Sequence, residues 1–295
     1  MEPDLKALSA LPKTVPNAAI IRTGDKAEEA LEQAGLSAAQ AYHILARGMA
    51  DIKGHRVCLK LDNYFITTTV TDSENRPVLT SKKHMDSDVS QDEDHGAAGL
   101  SVEDAHRGRG LGRVMVRNQL ELDALMGREK ITIDAGSVNG GYSWARFGFL
   151  PVSEGDTSYK RQFERDLIPR IVAYEDYGLI PDGQAGRFFS LARLENPEDI
   201  WELADQAQDI LPRLSVAFGR EANKSHELRR SFNHIEIFNM DRAVNQTLEN
   251  RRSFSLGKAL LLRTQWKGEI DFDNPTQMRR VNDYTGGFAF LKPSW

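Results

Sequence analysis

The sequence predicts an α/β (α+β) fold, and three stretches of it carry that prediction. Arg56 to Thr71 alternates with period two. Residues 111 to 126 hold an apolar helical stripe, and a glycine-rich turn joins that helix to a strand-like run. Strand, turn, helix and strand in that order form one unit, with further helices and strands on either side.

From the N-terminus, Ala27 to Ala34 has helical composition and Gly35-Leu36-Ser37 breaks it. Ser37 suits the N-cap of a helix from Ala38 to Met49. Val57, Leu59 and Leu61, then Phe65, Thr67 and Thr69, alternate on either side of Asp62-Asn63, which predicts a hairpin. Residues 77 to 83 supply another strand. The acidic run from His84 to His95 reads as a solvated loop. It lacks the glycine and terminal glutamate of a calcium loop and any histidine pair at helical spacing, so no metal is expected.

Ala98 to Glu103 alternates as a strand. The helix that follows aligns Leu111, Val114, Met115, Leu120, Leu122, Leu125 and Met126 mainly on one face, and Gly127 ends it. Ile131 to Asp134 is a second strand, Gly136 to Gly141 a turn, and Tyr142 to Arg146 a short helix before Phe147-Gly148-Phe149. Beyond about residue 158, Asn196-Pro197 opens a helix, and residues 241 to 252 and 275 to 284 are helical. Phe149 to Ser153, Phe188 to Leu194, Gly257 to Leu262 and Glu269 to Phe272 are strand candidates. The expected organisation is a helical segment over 1–54, a core over 55–157 and an α/β extension over 158–295.

A chain of 295 residues, 40% hydrophobic and 27% charged, suits a soluble folded protein with a sizeable core. Its net charge of −5 argues against general nucleic-acid binding. Arg220, Lys224, Arg229, Arg230, Arg251, Arg252, Arg279 and Arg280 are interleaved with Glu221, Glu227 and Glu249, so a solvated surface is favoured over a nucleic-acid face. The one cysteine, Cys58, excludes an internal disulfide and reads as a small buried hydrophobe. An acidic start without a signal-peptide core, and no window of 18 apolar residues, predict a cytoplasmic protein with no membrane partner. Delivery into another cell without a cleaved signal stays open.

The chemistry points to Arg107-Gly108-Arg109-Gly110-Leu111-Gly112. A pyrophosphate needs several N–H donors converging on it. Glycines remove the Cβ atoms that would hold those donors away, and the helix N-terminus adds uncapped amides. Arg107 and Arg109 add charge and fork-shaped donors. A P-loop needs Gly-Lys-Ser/Thr, which is absent, and a dinucleotide fingerprint needs a third glycine at a spacing not found here. The plain alternative is a glycine-rich connection with two exposed arginines.

The longer pattern resembles GNAT-type N-acetyltransferases: Leu100, Val102, Arg107, Gly110 and Gly112 in spacing, then Asn139 and Gly148-Phe149. The likeness covers roughly residues 96 to 152, and more loosely the strands from 55 onward. It implies a mixed, mostly antiparallel sheet that splays open after the strand holding Leu100 and Val102. It also implies acetyl-CoA as cosubstrate, bound by Leu100, Val102, Arg107, Gly108, Arg109, Gly110, Leu111, Gly112 and Asn139. Acetyl transfer then goes directly to an acceptor amine, whether a small molecule, a protein lysine or an aminoacyl group.

Attack on a thioester requires a neutral amine and a proton for the departing thiolate. Glu103 is the first candidate base and Asp134 the alternative, with Asp104 and His106 ranked below them. Where many relatives carry an acid tyrosine this chain has Trp144, which leaves Tyr142 as the candidate acid. That departure opens a second reading, a noncatalytic binding protein on the same fold with its C-terminal region recognising a partner.

Overall fold

A computed structural model describes residues 1–16, 19–85, 99–135, 140–152, 157–210 and 254–292. Strand β1 (Glu2–Pro3), helix α1 (Leu5–Ser9) and β2 (Ile20–Arg22) precede α2 (Lys26–Gln33) and α3 (Ala38–Ala46). Strands β3 (Arg56–Leu61), β4 (Phe65–Thr71), β5 (Pro77–His84) and β6 (Gly99–Val102) follow. A single 3-10 turn at Asp104–His106 then leads to α4 (Leu111–Leu125). After β7 (Lys130–Asp134), α5 (Gly140–Arg146) and β8 (Leu150–Pro151) come α6 (Thr157–Asp176), α7 (Ala185–Ala192) and α8 (Asp199–Ala204). The last described stretch holds α9 (Leu256–Leu261), β9 (Lys267–Asp271), α10 (Pro275–Thr285) and β10 (Leu291–Lys292). The result is a mixed α/β fold with a multistranded sheet flanked by helices. It divides into two compact units, Met1–Ile131 with Asp271–Trp295, and Thr132–Ile270.

In the first unit the sheet runs β2-β3-β4-β5-β6, parallel between β2 and β3 and antiparallel elsewhere. Its register sets Val57 opposite Val70, Leu59 opposite Thr68 and Leu61 opposite Ile66, so one face of the hairpin is buried. Asp62 makes the turn, its Oδ1 accepting the N–H groups of Tyr64 and Phe65 at 3.1 and 2.8 Å. Ser37 caps α3 as expected: its Oγ accepts the Gln40 N–H at 3.2 Å while Gln40 Oε1 accepts the Ser37 N–H at 2.9 Å.

Helix α4 inserts Leu111, Met115, Leu122 and Leu125 into a core shared with Ile44, Leu45, Leu59, Ile66 and Val78. Each such burial contributes about 1.5–3 kcal/mol. Helix α4 also buries Asp123, which pairs with Lys83 of β5 and, at 2.9 Å, with Arg128 Nη1. Arg128 Nη2 donates to the Met85 carbonyl at 2.8 Å, so three charged groups pin α4 to the end of β5. Burial pulls the Lys83 ammonium below its ordinary value, and the Asp123 carboxylate opposes that pull.

The second unit is built largely on a three-stranded sheet in the order β7-β9-β8, with Leu150 facing Glu269. Its middle strand, β9, comes from beyond residue 265. Arg170 of α6 donates to the carbonyls of Leu260 and Leu262, the latter at 2.6 Å, placing a cation on the last turn of α9. Trp201 Nε1 donates to the Phe149 carbonyl at 3.0 Å, fixing α8 against β8.

Several expected elements change here. Phe188 to Leu194 is not a strand but lies mostly in α7, because Ala185, Phe188, Leu191 and Ala192 recur at helical spacing on its buried side. Gly257 to Leu262 is also helical: Ser255 Oγ accepts the Lys258 N–H at 3.2 Å and starts α9. The helix expected from Asn196 begins at Asp199, since Asn196 closes a turn by accepting the Glu198 N–H at 3.1 Å. His84 belongs to β5 and stacks on Tyr64 at 6.1 Å. Cys58 is half-buried rather than buried, and desolvation pushes its thiol up. The loop beyond Met85 and the helix expected over 241 to 252 lie outside the described residues.

Candidate functional site

The glycine turn joins β6 to α4 within the first unit. Gly108 and Gly110 have φ of 71° and 85°, the left-handed region that a side chain disfavours. Gly110 is the N-cap residue of α4, and no side chain caps the helix there. Its first amides have no intrahelical acceptor. Gly112 does something different. A Cβ there would stand 3.6 Å from Leu100 Cδ2 and 3.7 Å from Val102 Cγ2, so the first turn of α4 lies against the two β6 side chains of the motif. Leu111 is buried beneath.

The two arginines behave differently. Arg107 donates through Nε to the Val102 carbonyl at 2.9 Å and pairs through Nη1 with Asp104 at 2.6 Å. Arg109 is exposed and makes no hydrogen bond or ion pair among the described residues. Glu103 begins the 3-10 turn with an exposed side chain, while its own N–H donates to the Val78 carbonyl at 3.0 Å. Among the described residues, β6 is the edge strand of its sheet.

Leu100, Val102, Glu103 and Arg107 to Gly112 are thus brought together in one unit. Asp134, exposed at the end of β7, and Tyr142, half-buried on α5, belong to the second unit. Asn139 lies outside the described residues. Trp144 packs its ring against Phe147 and Phe149, with centroids at 5.8 and 5.2 Å. Gly141, read as part of a turn, sits in α5 at a close approach: a Cβ would fall 2.2 Å from Thr264 Oγ1.

Sequence reading missed a charged group further along α4. Arg113 lies over the Tyr284 ring at 5.8 Å, and Arg47 lies over Phe290 at 5.5 Å. Arg47 Nη2 stands 2.9 Å from Glu121 Oε2, while Glu121 Oε1 accepts the N–H groups of Ala289 and Phe290. Arg117 donates through Nε and Nη2 to Asn118 Oδ1 at 3.1 and 2.9 Å. Burial lowers the pKa of Arg47 and Arg117, and raises that of Glu121 against the pull of Arg47. The signal was available, because Arg113, Arg117 and Glu121 recur every fourth residue on one stripe of α4.

Among the described residues, no group of three or more His, Cys, Asp or Glu side chains is arranged to hold a metal ion. No described helix is long and apolar enough to cross a membrane. No family model matches the chain, and no match is found among the curated proteins or the solved structures.

Proposed function

We propose that the protein is a GNAT-type N-acetyltransferase that takes acetyl-CoA at the β6–α4 turn and transfers its acetyl group to an acceptor amine. The observation that carries this reading is the turn itself. Two left-handed glycines lead into an uncapped helix N-terminus, and Gly112 on the first turn of that helix lies beside Leu100 and Val102. Amides aimed outward from such a turn suit a pyrophosphate. The open edge of β6 suits an extended pantetheine arm, which pairs with the corresponding strand in the family. Glu103, beside that edge, takes the role of base. It accepts a proton from the acceptor ammonium, the freed amine attacks the thioester carbonyl as the carbon–sulfur bond breaks, and the proton that the nitrogen then sheds goes to the departing CoA thiolate.

The test is calorimetry with CoA on the parent and on Gly110→Asp, which sets a negative side chain where the pyrophosphate would lie. Loss of binding supports the reading; equal affinity removes the turn from the cofactor site. One observation favours a noncatalytic binding protein instead. Trp144 stands where the family carries its acid tyrosine and packs against aromatic neighbours. CoA binding without turnover on a panel of amines would select that second reading.

A further inference from the structure

The five-stranded sheet of the first unit has two faces, and α3 and α4 pack on one of them. Along β3 and β4 the inward residues Val57, Leu59, Leu61, Ile66, Thr68 and Val70 are buried, while every alternate residue stays exposed or half-exposed. Strands β5 and β6 continue the pattern: Ser81 and Lys83 are buried, whereas Thr80, Lys82 and Ser101 lie on the outward face. The register sets these outward residues in rows. Lys60, Thr67 and Lys82 form one row, and Thr69, Thr80 and Ser101 the next.

The outward positions of β3 to β6 carry Arg56, Lys60 and Lys82 and no carboxylate, in a chain with 43 Asp and Glu against 38 Lys and Arg. Acids at the margins hold other groups: Asp62 Oδ1 accepts the Tyr64 and Phe65 amides, and Asp72 and Glu74 pair with Arg76. Lys60 and Lys82 make no ion pair among the described residues. Arg56 donates to a neutral acceptor, Asn75 Oδ1, at 3.2 Å. Near the β3–β4 turn, aromatic rings take the place of carboxylates. Lys82 Nζ stands 3.7 Å from the centroid of Phe65, and Lys26 Nζ stands 4.7 Å from that of Tyr64. The His84 ring links the two, at 4.9 Å from Phe65 and 6.1 Å from Tyr64. Tyr64 is 44% exposed.

We propose that this outward face binds single-stranded nucleic acid. A lysine resting on a ring is exchangeable: its ammonium moves to a phosphate, and the ring face it leaves passes to a base. The Thr and Ser hydroxyls between the cations donate to phosphate and sugar oxygens. From β3 to β6 the face spans three interstrand spacings, about 14 Å, which suits a polymer crossing several strands better than one small anion. A duplex keeps its bases stacked inside, out of reach of Tyr64 and Phe65, and an acidic peptide brings charge without base faces to stack. A net charge of −5 over the whole chain does not prevent one basic face. Leu100 and Val102 lie on the opposite side of β6, beside Gly112 of α4, so the inference does not rest on what the glycine turn binds.

Fluorescence anisotropy on the full chain, with a labelled oligothymidylate of about twelve nucleotides as probe, reads the binding. The oligothymidylate binds, and its affinity falls with salt at a log–log slope of about −2, as expected for three phosphates on a single strand. Replacing both lysines, Lys60→Gln with Lys82→Gln, brings the slope to about −0.7 and lowers affinity about tenfold or more. Lys60→Gln alone, at an exposed position, gives a second reading of the slope if the double variant folds poorly. Tyr64→Ala lowers affinity about fivefold or more and leaves the slope as it was, because a ring stacks and carries no charge. No binding at low salt overturns the proposal. Affinity and slope unchanged in the lysine variants also overturn it, by placing the strand elsewhere on the chain. Polyglutamate that competes as well as unlabelled oligothymidylate makes this a face for acidic segments instead. A duplex of equal length that binds as tightly removes the rings from recognition, and either result overturns the single-strand assignment.

Discussion

Arg107 Nε donates to the carbonyl oxygen of Val102 at 2.9 Å, so the first arginine of the turn reaches back to the last residue of β6. The same side chain, 51% exposed, also meets Asp104. It fixes the path of the chain between strand and glycines as well as supplying charge. Arg107→Ala removes both contacts. An exposed pair contributes little, so stability falls by about 1 kcal/mol or less, whereas CoA affinity falls about tenfold or more. Thermal melts and calorimetry on one preparation compare the two. Unchanged CoA affinity would confine Arg107 to shaping the turn.

Gly110 and Gly112 separate by backbone geometry. Gly110 holds φ at 85°, so Gly110→Ala costs roughly 1–2 kcal/mol in strain. Gly112 has ordinary helical freedom, and a Cβ there makes normal contacts with Leu100 and Val102. Gly112→Ala therefore leaves the melting temperature unchanged or raises it slightly. Equal losses in both variants would mean that the left-handed conformation is not what requires glycine at 110.

Glu103→Gln lowers turnover by about 10²- to 10⁴-fold while leaving CoA affinity close to that of the parent. A base acts in the transition state and not in docking the cofactor. A pH–rate profile identical to the parent's would shift the base role to Asp134.

Acid sensitivity is expected at the β4–β5 connection. Asp72 Oδ1 accepts the Glu74 and Arg76 N–H groups at 2.9 and 3.0 Å, and Oδ2 accepts from Arg76 Nε at 2.9 Å. The Arg76 backbone hydrogen bond leads in holding this carboxyl below its ordinary 3.8. A lowered folded pKa means that folding releases protons. Its stabilisation is full above 3.8 and is lost as pH falls through the folded value. Asp72→Asn should melt earlier than the parent at neutral pH, and the gap should close on acidification. A gap constant with pH would mean that charge plays no part.

How much of this was legible depends on how local each signal was. Ser37, Asp62 and the β3–β4 alternation act over a few residues, and the structure keeps them where the sequence places them. The glycine turn was equally visible, since its spacing and positive-φ requirement lie within six residues. The α7 and α9 segments were misjudged because short apolar runs suit a strand or a buried helix alike. Phe188 at every third or fourth apolar position, and Ser255 as a cap, decide for helix. Buried charge was the least visible. Lys83, Asp123, Glu121 and Arg47 look like solvated positions until partners 40 to 169 residues away in sequence meet them.

The place of β9 makes a deletion informative. It lies between β7 and β8, so a chain cut after about residue 200 loses the middle strand of that sheet together with α9. The expected outcome is loss of near-ultraviolet circular dichroism and exposure of Phe149 and Trp201 surroundings to a hydrophobic dye. A truncated chain that keeps cooperative melting would show that these strands need no partner from beyond residue 265.

Strand β1 pairs Glu2 with Lys292 and Pro3 with Leu291, and the Asp4 N–H reaches the Phe290 carbonyl at 2.8 Å. On the ribosome β1 therefore waits for partners made only after residues 132–270 have emerged. Until then the core around Leu8 and Leu111 lacks Phe290 and Leu291, and the Glu121 carboxylate lacks the two amides that hold it. The first unit is begun first and closed last, which exposes a half-built apolar surface through the synthesis of the other unit.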